Sequence, residues 1–275
     1  MEIWDDSLLD DSFPWLRVIG IGEIGATALS HFKAADKNNL FATLAVPDKN
    51  FVADSRNDIL KFIADAYWLF AVADVDNFEL AAQVAACVEE SSRPLTTFLI
   101  LCPSAGDVRL NDIPETFGTW IILPKDKIAA TGLTNDETIR RAVNMTTNII
   151  PIMKKGDNLI GMDFDDVSET MANCGKACVG FGESRDAENN SLQAVKNALK
   201  SPLFIGEIRH AKKVLLVFVG KTESLSMLEA NEAAGFLYKL PQHEDDSELV
   251  LWQVDTDETA DDGIAAFVLA ADFGT

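Results

Sequence analysis

The chain is short of positive charge. Its 275 residues hold 23 lysines and arginines against 44 aspartates and glutamates, a formal net charge of −21. Such a field repels nucleic-acid backbones and anionic membrane surfaces, so neither is expected as a partner. No run approaches the roughly eighteen consecutive apolar residues needed to span a bilayer. The opening MEIWDDSLLDDSF is acidic where a secretory leader is basic, which implies no export and a cytoplasmic setting. The four cysteines, Cys87, Cys102, Cys174 and Cys178, lack C-x-x-C spacing, so neither a zinc centre nor a disulfide framework is expected. Cys174 and Cys178 read as one helical turn apart, sharing a core face with Val167 and Met171. His31, His210 and His243 stand isolated, and no G-x-S-x-G elbow is present. The acidic stretch DTDETADDG at 255–263 has Ala260 where a calcium loop needs glycine, so it reads as a solvated hairpin tip and no metal is expected.

What the chain does have is apolar strand pattern and core: 48% of its residues are hydrophobic, enough for one large or two ordinary domains. Runs at 16–20, 40–46, 66–73, 95–102 and 119–124 are apolar on both faces, as in a parallel sheet covered by helices. Helical stretches such as 79–90 alternate with them. The fold class expected is therefore α/β, with a doubly wound parallel sheet. The first run ends in VIGIGEIGATAL, where Gly20, Gly22 and Gly25 fall at G-x-G-x-x-G, the spacing of a nucleotide-binding turn.

A long helix follows, opened by capping residues Thr134 and Asn135 and closed by Gly156, with Pro151 ending or kinking it. Beyond it the pattern reads as helix 166–177, helix 191–199, strand 213–220, helix 226–240 and strands 248–255 and 263–273. The last two look like a hairpin. A second α+β domain with a mixed sheet is expected from near residue 160.

In this second half GMDFDDVSETMANCGKACVGFGES resembles a segment of FtsZ, the tubulin-like division GTPase, that reads N-x-D-F-x-D-V, then methionine, then G-x-A-x-x-G-x-G. The matching residues are Asp163, Phe164, Asp166, Val167, Met171, Gly175, Ala177, Gly180 and Gly182. SPLF at 201–204 is similar to the family's S-P-L-L, and SLSMLEANEAA at 224–234 to its D-L-S-L-x-E-V-N-E-A-A. The resemblance implies a tubulin/FtsZ-like fold: a nucleotide-binding-like domain over 1–133, a bridging helix over 134–156 and a C-terminal domain over 157–275. It also implies GTP or GDP with magnesium as the ligand, if any, and head-to-tail self-association or an FtsZ-like partner.

The first half departs from that pattern. Glu23 and Ile24 stand where the family has glycine, and Thr27 where it has asparagine. The G-G-G-T-G-T-G signature expected after the third strand is replaced by ADVDNFELAA, with no glycine from 73 to 82. The 17 residues from Lys49 to Asp65 are too few for the loop and edge strand that carry a further phosphate contact in the family. Glu23, Asp74 and Asp76 thus bring carboxylates to the place of the triphosphate. One like-charge pair at about 4 Å costs roughly 4 kcal/mol at an effective dielectric of about 20, or about three decades of affinity. Asp76 and Asn77 are also expected to cap the helix near 78, with Asp74 adding charge to its positive end.

By resemblance Asp163 and Asp166 belong to a loop that enters the next subunit's nucleotide pocket and helps polarise water. Equally, Asp163, Asp165 and Asp166 suit capping of the helix that follows. Asp136 and Glu137 match the family's base-contacting positions, although acids in a first helical turn are common without any ligand. The expectation is a filament-type protein without hydrolysis, with no cofactor, that serves as an assembly or interaction partner. One alternative is a divergent, polymerising GTPase. Another is a nicotinamide-cofactor protein using the literal G-x-G-x-x-G, with Asp48 as ribose ligand.

Overall fold

The computed structural model describes residues 16–35, 41–46, 53–74, 77–91, 96–102, 113, 116–134, 136–140, 158–160, 162, 164–185, 189–240, 249–258 and 262–273. The first half runs β1 (Leu16–Ile21), α1 (Gly22–Ala35), β2 (Phe41–Val46), α2 (Ala53–Ile63), β3 (Trp68–Asp74), α3 (Phe78–Glu90), β4 (Thr96–Cys102), β5 (Thr119–Ile122) and α4 (Lys125–Ala130). Then come α5, helical over 136–140, β6 (Asn158–Ile160), α6 (Phe164–Met171), β7 (Gly175–Ser184), α7 (Asn190–Leu199), β8 (Lys213–Gly220), α8 (Met227–Tyr238), β9 (Leu249–Thr256) and β10 (Ile264–Ala271). The strands form one sheet in the order β2-β1-β3-β4-β5-β7-β10-β8-β9-β6.

The first five strands are mutually parallel, as their two-sided apolar character requires. Ala28, Leu29 and Phe32 of α1 join a core with Trp68, Phe70 and Phe98 on one face of the sheet. Ile59 and Ile63 of α2 and Leu80, Val84 and Val88 of α3 cover the other face. On that second face Arg17 is buried, and its Nε donates to the Phe62 carbonyl at 2.7 Å with the guanidinium over the Phe62 ring. Burial lowers its pKa, against the opposing pull of Asp65. Among the described residues between β2 and β3 the regular element is α2, and β2 stands at the edge of the sheet.

The halves are joined through β5 and β7, which pair in parallel with Thr119 opposite Gly175. Thr119 Oγ1 donates to the Met171 carbonyl, and Trp68 Nε1 donates to Ser168 Oγ at 2.7 Å, so α6 is fastened to both β5 and β3. Val167, Met171, Val179 and Val217 continue the core that begins at Leu16.

Three expectations from the sequence are corrected. The helix read over 166–177 stops at Met171, because Asn173 and Gly175 take positive φ values of 54° and 61° and end it. Cys174 and Cys178 therefore do not share a helical face: Cys174 sits in the turn, its Sγ donating to the Thr170 carbonyl at 3.0 Å, and Cys178 lies in β7. Burial raises both thiol pKa values, with Lys213 opposing at Cys174 and Lys176 at Cys178. The strand β7 itself, absent from the sequence reading, supplies Gly180 and Gly182. Side chains there would sit 2.2 Å from the Ala198 and Ala194 carbonyl oxygens of α7. Lastly, β9 and β10 are not a hairpin. β10 inserts between β7 and β8, while β9 runs parallel to β8 across the α8 crossover. IAAFVLAA, apolar on both faces, suits a central strand better than an edge.

The turn opening α1 depends on close backbone approach. A Cβ at Gly25 would lie 2.4 Å from the Gly20 carbonyl carbon and 2.7 Å from the Val72 carbonyl oxygen. We predict that Gly25→Ala costs about 3 kcal/mol of stability by overpacking, read from urea denaturation. A loss under about 0.5 kcal/mol, the range of an ordinary surface substitution, contradicts the packing.

Candidate functional site

The strand order reverses at β1 and β3, since the chain leaves β1 for β2 on one side and returns to β3 on the other. In doubly wound sheets ligands bind in the crevice at the carboxyl ends of the strands where this happens. The β1 end is the glycine turn. Gly22, at φ 72°, carries the chain from strand to helix, while Gly20 and Gly25 let α1 lie against β1 and β3. In register Ile21 stands opposite Ala73, so β3's last residue, Asp74, is level with Gly22. Glu23 is exposed in the first turn of α1. Glu23 and Asp74, far apart in sequence, thus arrive at the two strand ends that frame one crevice. Asp76 lies outside the described residues.

Thr27, the position where the family has asparagine, turns its hydroxyl back to the Glu23 carbonyl at 3.1 Å. Asn77 occupies the N-cap position of α3 without a side-chain cap hydrogen bond. Its φ of −103° and ψ of 23° depart from the extended backbone that lets a cap side chain reach back to the helix amides. The expected capping by Asn77 is corrected accordingly.

At the start of α5, Thr134 and Glu137 form a reciprocal capping box. The Thr134 hydroxyl accepts from the Glu137 amide at 3.1 Å, and Glu137 Oε2 accepts from the Thr134 amide and hydroxyl, both at 2.8 Å. This agrees with Thr134 as the opening residue; Asn135, Pro151 and Gly156 lie outside the described residues. The neighbouring Asp136 accepts from His31 Nε2 at 2.9 Å. His31 is therefore not isolated, as the sequence suggested: it ties α1 to the first turn of α5. With the partners 105 positions apart, no local pattern could have announced the pair. Both acids matched to base contacts thus hold partners within the protein.

Asp166 is exposed at the start of α6, above the buried Val167 and Met171; Asp163 lies outside the described residues, as does Asp48. Because Trp68, which grips α6, is the first residue of β3 and Asp74 its last, α6 and the glycine turn occupy opposite ends of that strand. A rise of about 3.3 Å per residue separates them by about 20 Å.

The stretch at 255–263 does not join a hairpin, but its described residues Asp257, Glu258 and Asp262 are exposed, in keeping with a solvated turn, and two of them are tied down. Glu258 accepts from the Thr222 amide at 3.1 Å and hydroxyl at 2.6 Å, and Lys221 Nζ meets Asp262 at 2.5 Å. Those hydrogen bonds hold both carboxyls below their usual pKa. Among the described residues, no three His, Cys, Asp or Glu side chains cluster as metal ligands, and no helix is long and apolar enough to cross a membrane.

A parallel sheet wound about a glycine turn, joined edge to edge through β5 and β7 to a mixed five-stranded half, is the fold of the FtsZ/tubulin superfamily. Residues 175–274 match the FtsZ family, C-terminal domain. The chain is 30% identical over 250 residues to cell division protein FtsZ 2 of Thermococcus kodakarensis, covering 78% of this chain and 59% of that protein. It superposes on the FtsZ dimer of M. jannaschii with a TM-score of 0.78 at 19% identity, covering 98% of this chain and 93% of the other. The CetZ2 GTPγS-bound protofilament of Haloferax volcanii gives 0.68 at 13% identity, over 93% and 92%. At those identities the structural likeness is one of fold. The chain spans 50 to 59% of the length of the curated FtsZ relatives it matches. The fold is thus that of the FtsZ/tubulin superfamily, and residues 175–274 carry the sequence of the FtsZ family's C-terminal domain.

The His31–Asp136 bond makes a direct prediction. His31→Ala removes a hydrogen bond worth about 1 kcal/mol and speeds amide exchange at 136–140 about fivefold, whereas His31→Gln, which keeps a donor, restores most of the protection. Equal exchange in all three proteins contradicts a fastening role.

Proposed function

We propose that this chain is a filament-type subunit of the FtsZ/tubulin superfamily that neither holds nor hydrolyses nucleotide, and that it acts in the cytoplasm as an assembly or interaction partner. The observation that carries this reading is the convergence of Glu23 and Asp74 on the strand ends where a triphosphate would lie. A phosphate cradle needs backbone amides with no intervening acid. The engagement of Asp136 by His31 and of Glu137 by Thr134 supports the same conclusion, since a base would have to compete with both. Asp163 and Asp166 would instead dock onto the nucleotide-bearing face of an authentic FtsZ-like subunit. The placement of α6 and the glycine turn at opposite ends of β3 supports contacts of the head-to-tail kind, which build filaments when they do not close. One observation favours the second reading, a divergent GTPase: Gly22 keeps the left-handed turn of a phosphate loop.

Two measurements test the proposal. Any ligand that binds only the folded state raises the melting temperature, so thermal shift with GTP and magnesium, and separately with NADH, is expected to show none. A rise with GTP favours the GTPase and a rise with NADH the dehydrogenase-like alternative. Co-sedimentation with a polymerising FtsZ is expected to bring this chain into the pellet, and Asp163→Ala with Asp166→Ala to release it. No association with the filaments refutes the partner role.

A further inference from the structure

Helix α8 contains a glycine that no contact among the described residues requires. Gly235 lies in the helix interior, has no positive φ, and a Cβ there would meet nothing within 4 Å among the described residues. A helix-interior glycine is destabilising relative to alanine, and the glycines at 20, 25, 180 and 182 each answer to a close backbone contact within the chain. Among the described residues Gly235 has no such contact. It stands in the stripe Leu228, Glu232, Gly235, Lys239, spaced i, i+4, i+7, i+11 along the outer face. Leu228, 68% exposed, and Tyr238, 51% exposed, are the large apolar residues most exposed among those described, and both lie on this helix. The opposite face, Ala230, Ala233, Ala234 and Leu237, is buried.

We propose that this face binds a second copy of the same chain, with two α8 helices crossing antiparallel at Gly235. In a two-fold contact, where residue i of one copy meets residue j of the other, j of the first also meets i of the second. An axis beside Gly235 sets Glu232 of each copy against Lys239 of the other, because both lie about equally far from it along the helix. The tyrosines flank the crossing, and the missing side chains let the backbones approach. Charge selects this occupant. A chain of net charge −21 repels its own copies over most of its surface, whereas this stripe carries one acid and one base and is self-complementary. The contact is isologous. It differs from head-to-tail stacking, and it holds whether or not a nucleotide binds.

Sedimentation equilibrium of the full chain over a concentration series at about 0.15 M salt, where surface repulsion is screened, tests it. The expected mass rises from 30.0 kDa toward twice that value. Glu232→Lys alone and Lys239→Glu alone each weaken association about tenfold by setting like charges opposite, and the double exchange restores it. Gly235→Leu abolishes the dimer while raising the melting temperature by about 2 to 4 °C through helix propensity, which separates a lost interface from a damaged fold. A chain that stays monomeric, an association that Gly235→Leu leaves intact, or a double exchange no better than the singles overturns the proposal.

Discussion

The seam between β5 and β7 is the constraint on which this molecule turns. Its parallel pairing begins with Thr119 against Gly175, and the same threonine donates its buried hydroxyl to the end of α6. Through it a parallel sheet of βα units and a mixed sheet of antiparallel strands become one ten-stranded layer. Gly175, at positive φ, lets β7 start directly after the helix that precedes it. Trp68, in contact with Phe70 and Phe98, then carries the first-half core onto α6 through Ser168. Everything proposed about function uses the consequence: the glycine turn and α6 are held at fixed, opposite ends of the same strands.

Within this frame the crevice between β1 and β3 is built on a close-packed glycine turn, with Glu23 in the first turn of α1 and Asp74 ending β3. The close contact of Gly20 with Gly25 serves helix packing first, and it persists whether or not an anion lies beyond it. The left-handed Gly22 likewise serves the strand-to-helix turn. Such geometry is therefore compatible with a ligand without requiring one. The acids differ in this respect, because a carboxylate at a strand end beside a helix N-terminus supplies the negative charge that the helix dipole favours and that a phosphate would otherwise bring. At the start of α5, Asp136 and Glu137 likewise hold hydrogen bonds within the protein, to His31 and Thr134.

Much of the fold was legible in the sequence because parallel strands buried on both faces print uninterrupted apolar runs. All five first-half strands lie where those runs fall, and α7, β8 and α8 match their patterns within a residue or two. β7 escaped notice for a local reason: Asn173 and Gly175 break the helix inside what looks like continuous amphipathic sequence, and two packing glycines dilute the strand's apolar run. The β9–β10 pairing was misjudged because neighbouring strands in sequence are usually neighbours in the sheet, and only the burial of both β10 faces argues otherwise. Of the candidate site, the glycine spacing and the acids Glu23 and Asp74 after the first and at the end of the third strand were open to reading from the sequence. The His31–Asp136 bond was not, since it is created by tertiary contact between distant elements.

The central claim is that acid side chains at the β1–β3 crevice exclude a nucleotide from a turn that could otherwise hold one. Calorimetric titration of GTP with magnesium into the natural protein and into a variant carrying Glu23→Gln, Asp74→Asn and Asp76→Asn addresses it directly. The account predicts no binding by the natural chain up to about 1 mM, a bound of about −4 kcal/mol, and a measurable gain of affinity in the neutralised variant. Micromolar binding by the natural chain would contradict it.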